Sequence, residues 1–333
     1  MLSVSEKTIL GVLQGSILGP ALLNLYINSI TESVKHCKLI FFADDNYLLK
    51  SGFVSEFGQV LGCIESDLDC IDNWLTCNGM ELNVDKTEFM WVGTKSMLDK
   101  LGTVSISLCG KKVYSKPTIK CLGTYIDCRL SWSEHIAKIT KTVIYNLLCI
   151  HPYKNHFYKD KLILMVETQL LSIIYYNAMI WGGTGNKVLK PVNNCIRAAG
   201  RLCLGKTKYD RVKNDITNEL GWLFLENMYI YKCCYFIIVT IIITVTLFQH
   251  TNNISPTYFN HVIDLKKSNG RNGVTINSNV ISRNKYGDKL IECIACNVFN
   301  TLPREIRDNY DKFNMCAFKM KLYEWAINLQ TNS

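Results

Sequence analysis

Two adjacent aspartates set between two apolar runs constrain this chain more than any other feature. In KLIFFADDNYLLKSG, residues 38–52, Lys38 to Ala43 is almost wholly apolar, then come Asp44, Asp45 and Asn46, and Tyr47 to Leu49 is apolar again. Such a run reads as strand, tight turn, strand, because Asp and Asn tolerate turn geometry while the flanks seek burial. By itself the stretch has two readings. One is a solvated hairpin tip. The other is a rigid display of two carboxylates for a hard divalent cation, which takes oxygen ligands.

The neighbouring periodicities frame this hairpin with helices. GVLQGSILGP, residues 11–20, is a Gly-punctuated loop, and Pro20 suits the first turn of a helix. Leu22, Tyr26, Ile30 and Val34 recur at steps of four and predict a helix over 21–34. From Ser55 onward Val60, Leu61, Ile64, Leu68, Ile71 and Leu75 share one face, and Asn78-Gly79 is a stop signal. MELNVDKTEFMWVG predicts a loop and a strand over 80–93, and residues 104–126 predict short strands around Gly110-Lys111 that end in CLGTYID. Ser131 or Ser133 is placed to cap a helix with Ile136, Ile139, Val143 and Leu147 on its apolar face. Helical patterns then run to about residue 235. Residues 251–290, rich in Asn, Ser and Gly, predict loops, and residues 316–329 an amphipathic helix. The fold class is α+β over the first 128 residues and mainly α beyond, with no tandem repeat.

Charge divides the chain more sharply than composition does. Residues 1–99 hold 6 basic and 13 acidic residues, residues 100–213 hold 19 and 5, and residues 214–333 hold 12 and 10. A middle third this basic suits a polyanionic partner, most simply nucleic acid, although a lysine-rich solvated surface has the same composition. Tyr114, Tyr125, Trp132, Tyr145, Tyr153 and Tyr158 are interleaved with the charge and are candidates for stacking on bases.

The 15 cysteines are odd in number, and Glu6 and Lys7 interrupt a start that reads as no signal peptide. Free thiols in an intracellular, reducing setting, nucleus or cytoplasm, are the expectation. Cys63, Cys70 and Cys77 recur every seven residues along one predicted helix and read as small buried positions. Cys293 and Cys296 make one CxxC, and a zinc site would need two further ligands. The uncharged run CCYFIIVTIIITVTLF, residues 233–248, is shorter than the ~20 residues of a membrane span and reads as a buried helix or strand pair. Membrane association through this run is the competing reading.

The motifs gain meaning from their order. GVLQGSILGP, FFADD, LNVDKTEFM, CLGTYID and LSWSEHI follow one another along the chain. In that order they resemble the second half of a reverse transcriptase, and most closely the enzymes of non-LTR retrotransposons such as the jockey-like elements of insects. The resemblance continues through IWGG at 180–183, CIRAAGRLCLG at 195–205 and NTLPREIRD at 300–308. It implies a partial polymerase palm over 1–128, an antiparallel sheet with two helices. A thumb-like basic helical region over 129–213 and a C-terminal helical region over 214–333 would follow.

The implied activity is RNA-directed DNA synthesis on an RNA template with a DNA primer, from deoxynucleoside triphosphates and Mg²⁺. The resemblance assigns Asp44 and Asp45 to metal binding and catalysis. It assigns Lys86 to a catalytic role in protonating pyrophosphate. Gln14, Gly15 and Ser16 would lie near the template base and incoming nucleotide, Leu122 and Gly123 at the primer end, and Lys138 and Lys141 along the nucleic-acid backbone. Strand-held carboxylates suit two-metal nucleotidyl transfer, in which one ion activates the primer hydroxyl and both stabilise phosphate charge.

Two departures are visible. Leu13 stands where the family has proline, which loosens the loop without removing a reactive group. The family's fingers and first metal-binding aspartate belong upstream of the glycine loop, where MLSVSEKTIL offers Glu6 as its sole carboxylate. The expectation is therefore an N-terminally truncated enzyme, weak in Mg²⁺ binding and inactive alone. A non-catalytic nucleic-acid-binding remnant is the alternative.

Overall fold

Pro20 lies in the first turn of α1 (Gly19–Ile27), where its missing N–H costs nothing, and the Gly19 N–H donates to Ser16 Oγ at 2.9 Å. The computed structural model describes residues 15–250, 263–267, 274–278, 297, 299–307 and 315–331. The chain divides into two units, Met1–Ser131 and Trp132–Ser333. Helix and small antiparallel sheets are mixed, as an α+β reading expects.

In the first unit α1 tightens into a 3-10 turn, Asn28–Ser33, rather than continuing as one α-helix to residue 34. β1 (Lys38–Phe42) and β2 (Asp45–Leu49) pair antiparallel, with Leu39 opposite Leu48 and Phe42 opposite Asp45. α2 (Phe57–Cys77) ends at Gly79, whose φ of +68° lets the Met80 N–H reach the Leu75 carbonyl at 2.9 Å. That closure is the helix stop the Asn-Gly pair predicts. Ile30, Ile71 and Leu75 form a core onto which Val34, Leu39, Phe41 and Leu48 pack, so the two helical segments share one face of the hairpin. Each such buried side chain contributes about 1.5–3 kcal/mol. Cys63 and Cys70 are half-buried, but Cys77 is exposed in the last turn, and the described cysteines are free.

The strand expected over 80–93 does not form. Residues 83–87 turn back on themselves, with the Lys86 N–H on Asn83 and the Thr87 N–H on Asn83 and Val84. Only an isolated parallel bridge joins Phe89 to Ser115. Phe89 is nevertheless buried with Leu68, Val104, Ile106 and Leu108, and Trp91 packs against this second core. After α3 (Lys95–Leu101) come β3 (Ser105–Leu108) with β4 (Lys111–Tyr114), then β5 (Thr118–Cys121) with β6 (Thr124–Asp127). Among the described residues these and β1–β2 remain separate two-stranded sheets. The palm-like sheet anticipated from the resemblance is thus divided into hairpins.

The second unit is mostly helical: α4 (Ser133–Ile150), α5 (Lys159–Val166), α6 (Ser172–Tyr175), α7 (Ala178–Trp181), α8 (Asn186–Leu204), α9 (Lys213–Glu219) and α10 (Leu225–His250). Trp132, at φ +64°, holds the cap position of α4 in place of Ser131 or Ser133. Its ring and that of Trp181 flank buried His135, with centroids 6.4 and 5.2 Å away. Gly200 on α8 is required by close approach, because a Cβ there would fall on the Ile216 side chain. α10 carries the uncharged run as helical backbone. Among the described residues no helix is long and apolar enough to cross a membrane.

Residues 251–290, expected as loops, include a hairpin of β7 (Ile263–Lys267) and β8 (Val274–Ser278), since Ile263, Leu265, Val274 and Ile276 supply strand-forming residues among the polar ones. The chain closes with α11 (Arg304–Arg307) and α12 (Met315–Thr331). Buried Gln330 on α12 accepts the N–H of Phe224 at 2.7 Å and donates to Thr217 Oγ1 at 2.7 Å and to the Trp222 carbonyl at 3.0 Å. One amide thereby ties α12 to the α9–α10 junction.

Candidate active site and nucleic-acid surface

The hairpin between β1 and β2 closes with a two-residue turn, Ala43-Asp44. Ala43 has φ +54°, whereas Asp44 does not have a positive φ. A positive φ at the first central position of a hairpin turn normally falls to glycine. Alanine there holds the tip in a conformation an L-residue resists, at about 1–2 kcal/mol. Asp44 is therefore at the turn and Asp45 one step into β2, both exposed. The Tyr47 hydroxyl donates to the Asp45 carboxylate at 3.4 Å. Burial, then Cys121, then Asp45 push the Tyr47 phenol up, which keeps it protonated and donating.

The two faces of this hairpin differ. Leu39, Phe41 and Leu48 point to the core, while Ile40, Phe42 and Leu49 on the other face are 41, 61 and 52% exposed. Asp45 shares that open face, opposite Phe42. A carboxylate beside exposed apolar strand residues is usable by a ligand arriving from solvent.

Asp67 on α2 sets where this hairpin begins, and its role was not legible as a site feature. Its side chain is fully buried. The backbone N–H groups of Lys35, His36 and Cys37, the three residues before β1, donate to its carboxylate at 3.1, 2.8 and 2.7 Å. Burial opposes its ionisation, but the backbone donors and the Cys37 thiol outweigh it and hold the carboxyl below the usual carboxylate range. The signal was present: an acid at 67 interrupts the apolar face of Ile64, Leu68 and Ile71, where a carboxylate must find donors.

The other candidate residues are dispersed. Gln14 lies outside the described residues, as do Glu6, Cys293 and Cys296. Gly15 has φ +86° with open space around a would-be Cβ, so its backbone conformation, not crowding, asks for glycine. Ser16 is spent on the entry turn of α1. Lys86 is exposed at the end of a 3-10 turn, Val84–Lys86. Beside that turn Glu81, Asn83, Asp85 and Lys111 line a polar cavity of about 320 Å³. Leu122 and Gly123, at φ +44° and +79°, make the two-residue turn between β5 and β6, a type I′ geometry that presents Leu122 at its tip. Lys138 on α4 pairs with Glu134 at 2.9 Å. Lys141, one turn on, borders a groove between α4 and α8.

Among the described residues no group of three or more His, Cys, Asp or Glu side chains comes together that could hold a metal. Asp44 and Asp45 are exposed and carry hard oxygen donors, the ligand type of which Mg²⁺ commonly takes one or two beside substrate phosphates.

Between residues 100 and 213 no lysine or arginine is buried. Lys111, Lys116, Lys138, Lys159, Lys161 and Lys206 form exposed ion pairs with carboxylates, each contributing about 0–1 kcal/mol and readily exchanged for a phosphate. Tyr114, Tyr145, Tyr153 and Tyr158 are exposed, Tyr153 with its ring 6.3 Å from that of His156. Tyr125 is half-buried, with the Lys120 ammonium 5.9 Å from its ring. Trp132 is corrected: it is 9% exposed, packed on His135, and offers no face to a base.

Comparison with known families places one match on this chain. Residues 4–126 match the family described as reverse transcriptase (RNA-dependent DNA polymerase). The match ends within β6 and thus falls on the first unit, including the Ala43-Asp44 turn and the Leu122-Gly123 turn. Neither the search of curated proteins nor that of solved structures finds a match.

Proposed function

We propose that this chain is part of a non-LTR retrotransposon reverse transcriptase, with residues 1–128 as a partial palm, 129–213 as a basic thumb and 214–333 as a C-terminal helical region. The observation that carries the reading is the coincidence of the reverse transcriptase match over residues 4–126 with a strained hairpin that displays Asp44 at its tip. In this reading Asp44 and Asp45 hold Mg²⁺ weakly. Lys86 supplies a proton at the leaving group, Gln14, Gly15 and Ser16 border the nucleotide, and Leu122 and Gly123 border the primer end. Lys138 and Lys141 follow the backbone of an RNA–DNA hybrid. The protein acts inside the cell, in the nucleus or cytoplasm.

Residues 1–333 alone do not extend a primer, because the first metal-binding aspartate of the family lies before the glycine loop and Glu6 is the single carboxylate there. A segment supplying that aspartate and its strand would restore extension. Nucleic-acid binding persists without it, through the basic residues between 100 and 213. This division is tested by primer extension beside filter binding on the same preparation. The expected result is no extension, with hybrid binding whose log affinity falls with log salt by about 0.9 for each duplex phosphate neutralised. Extension by residues 1–333 that Asp44→Ala abolishes would overturn the inactivity. Salt-insensitive binding, or none at low salt, would overturn the thumb assignment.

A further inference from the structure

We infer that the groove between α4 and the start of α8 docks an acidic amphipathic helix of a partner protein. α4 is apolar on two faces. One, with Ile136, Ile139, Val143 and Ile150, is buried in the second unit. About 100° round the helix Ala137, Lys141, Ile144 and Leu148 recur at steps of four, three and four, the spacing of a heptad seam. Ile144 and Leu148 are 45 and 65% exposed on this seam, and Tyr145 beside it is 67% exposed. Beside it opens a cavity of about 530 Å³ whose walls include Ile144, Val188 and Pro191.

Charge selects the occupant. The ionisable groups lining the groove are Lys141 and Lys187, and no carboxylate lines it. Neither lysine forms an ion pair among the described residues. A second copy of this chain docking groove to groove would bring the same lysines together and be repelled. A nucleic acid would meet the lysines and stack a base on Tyr145, but it brings no aliphatic surface to match Ile144 and Leu148. A helix with leucines on its seam and glutamates flanking it matches both, as apolar anchors and paired charges do in helix-in-groove recognition. Pro191 adds a polar feature: lacking an N–H, it leaves the Lys187 carbonyl without its usual helical donor. Lys141 is also a nucleic-acid contact in the proposed function, so docking and nucleic acid compete there if that reading holds; the groove itself is tested without nucleic acid.

The test is fluorescence anisotropy on residues 1–333 with a labelled designed peptide about three heptads long, leucine at the seam and glutamate on either side. Its counterparts are the same peptide with lysine for glutamate, and a scrambled one. The acidic peptide should bind, and Ile144→Asp and Lys141→Glu should each weaken it at least tenfold. Both sites are exposed, so circular dichroism should remain unchanged. Lys141→Glu should in turn improve binding of the lysine peptide. Equal binding of all three peptides, or acidic-peptide binding that survives Ile144→Asp, would overturn the proposal. So would binding of a labelled oligothymidylate, with no acidic-peptide binding, that Ile144→Asp abolishes.

Discussion

Replacing Asp67 by asparagine removes a charge that three successive backbone N–H groups converge on, at 3.1, 2.8 and 2.7 Å. Asparagine keeps one carbonyl acceptor and turns an NH₂ toward donors. Lys35 and His36 are exposed, so water can replace the lost bonds there, whereas Cys37 is half-buried and its N–H has less recourse. One orphaned donor costs about 1–3 kcal/mol and hydrogen bonds to charged groups about 1.5–3 kcal/mol, so Asp67→Asn should cost the first unit about 2–3 kcal/mol. The assay is hydrogen exchange over residues 35–49. Their protection should fall about 30- to 150-fold, since 1.4 kcal/mol is about tenfold, while residues 186–204 stay unchanged. The pH dependence has a definite sign. The folded carboxyl is held below its unfolded value of about 4, so its contribution is present above pH ~4 and is lost as pH falls through the folded pKa. Asp67→Asn should lack that acid limb. Protection of residues 35–49 unchanged within about twofold would refute the claim that Asp67 anchors the hairpin.

Ala43→Gly should stabilise the first unit by about 0.5–1 kcal/mol, because relief of a φ of +54° exceeds the added chain entropy; a lower melting temperature would show that Ala43 carries no such strain. Gly200→Ala should destabilise the second unit by about 1–3 kcal/mol in urea unfolding, since the new methyl meets Ile216, and a neutral result would mean that α8 and α9 separate at little cost. Burial lowers the His135 pKa to about 4, so the stability of the second unit should decline as pH falls from ~6.5 through about 4, by about 3 kcal/mol in all. His135→Phe should flatten that decline, and an unchanged pH profile would show that the imidazole is not the group responsible. Gln330→Ala should expose α12 to proteolysis ahead of the rest of the second unit, because it removes the acceptor of the Phe224 N–H and leaves that donor buried.

Much of the local structure was legible because it follows from short-range rules. The hairpin at 38–49 comes from two apolar runs around turn-forming residues, and the end of α2 at Asn78-Gly79 from the freedom of glycine at positive φ. The apolar faces of α2 and α4 follow from helical periodicity. The adjacency of Asp44 and Asp45 is a property of the chain itself, as is the basic stretch from 100 to 213.

Tertiary packing decided what periodicity could not. Phe89 is strand-like in composition but is drawn into a core by Leu68 and Ile106, while local turns at 83–87 consume the backbone donors a strand would need. Trp132 resembled a surface aromatic in a basic stretch, and only its packing on His135, with Trp181 across the imidazole, removed it from the nucleic-acid surface. Asp67 lies some thirty residues from the backbone it anchors and Gln330 more than a hundred. The sequence by itself marks both as polar groups among apolar neighbours. Which donors and acceptors they meet depends on contacts between segments distant in the chain, and those exist only in the folded protein.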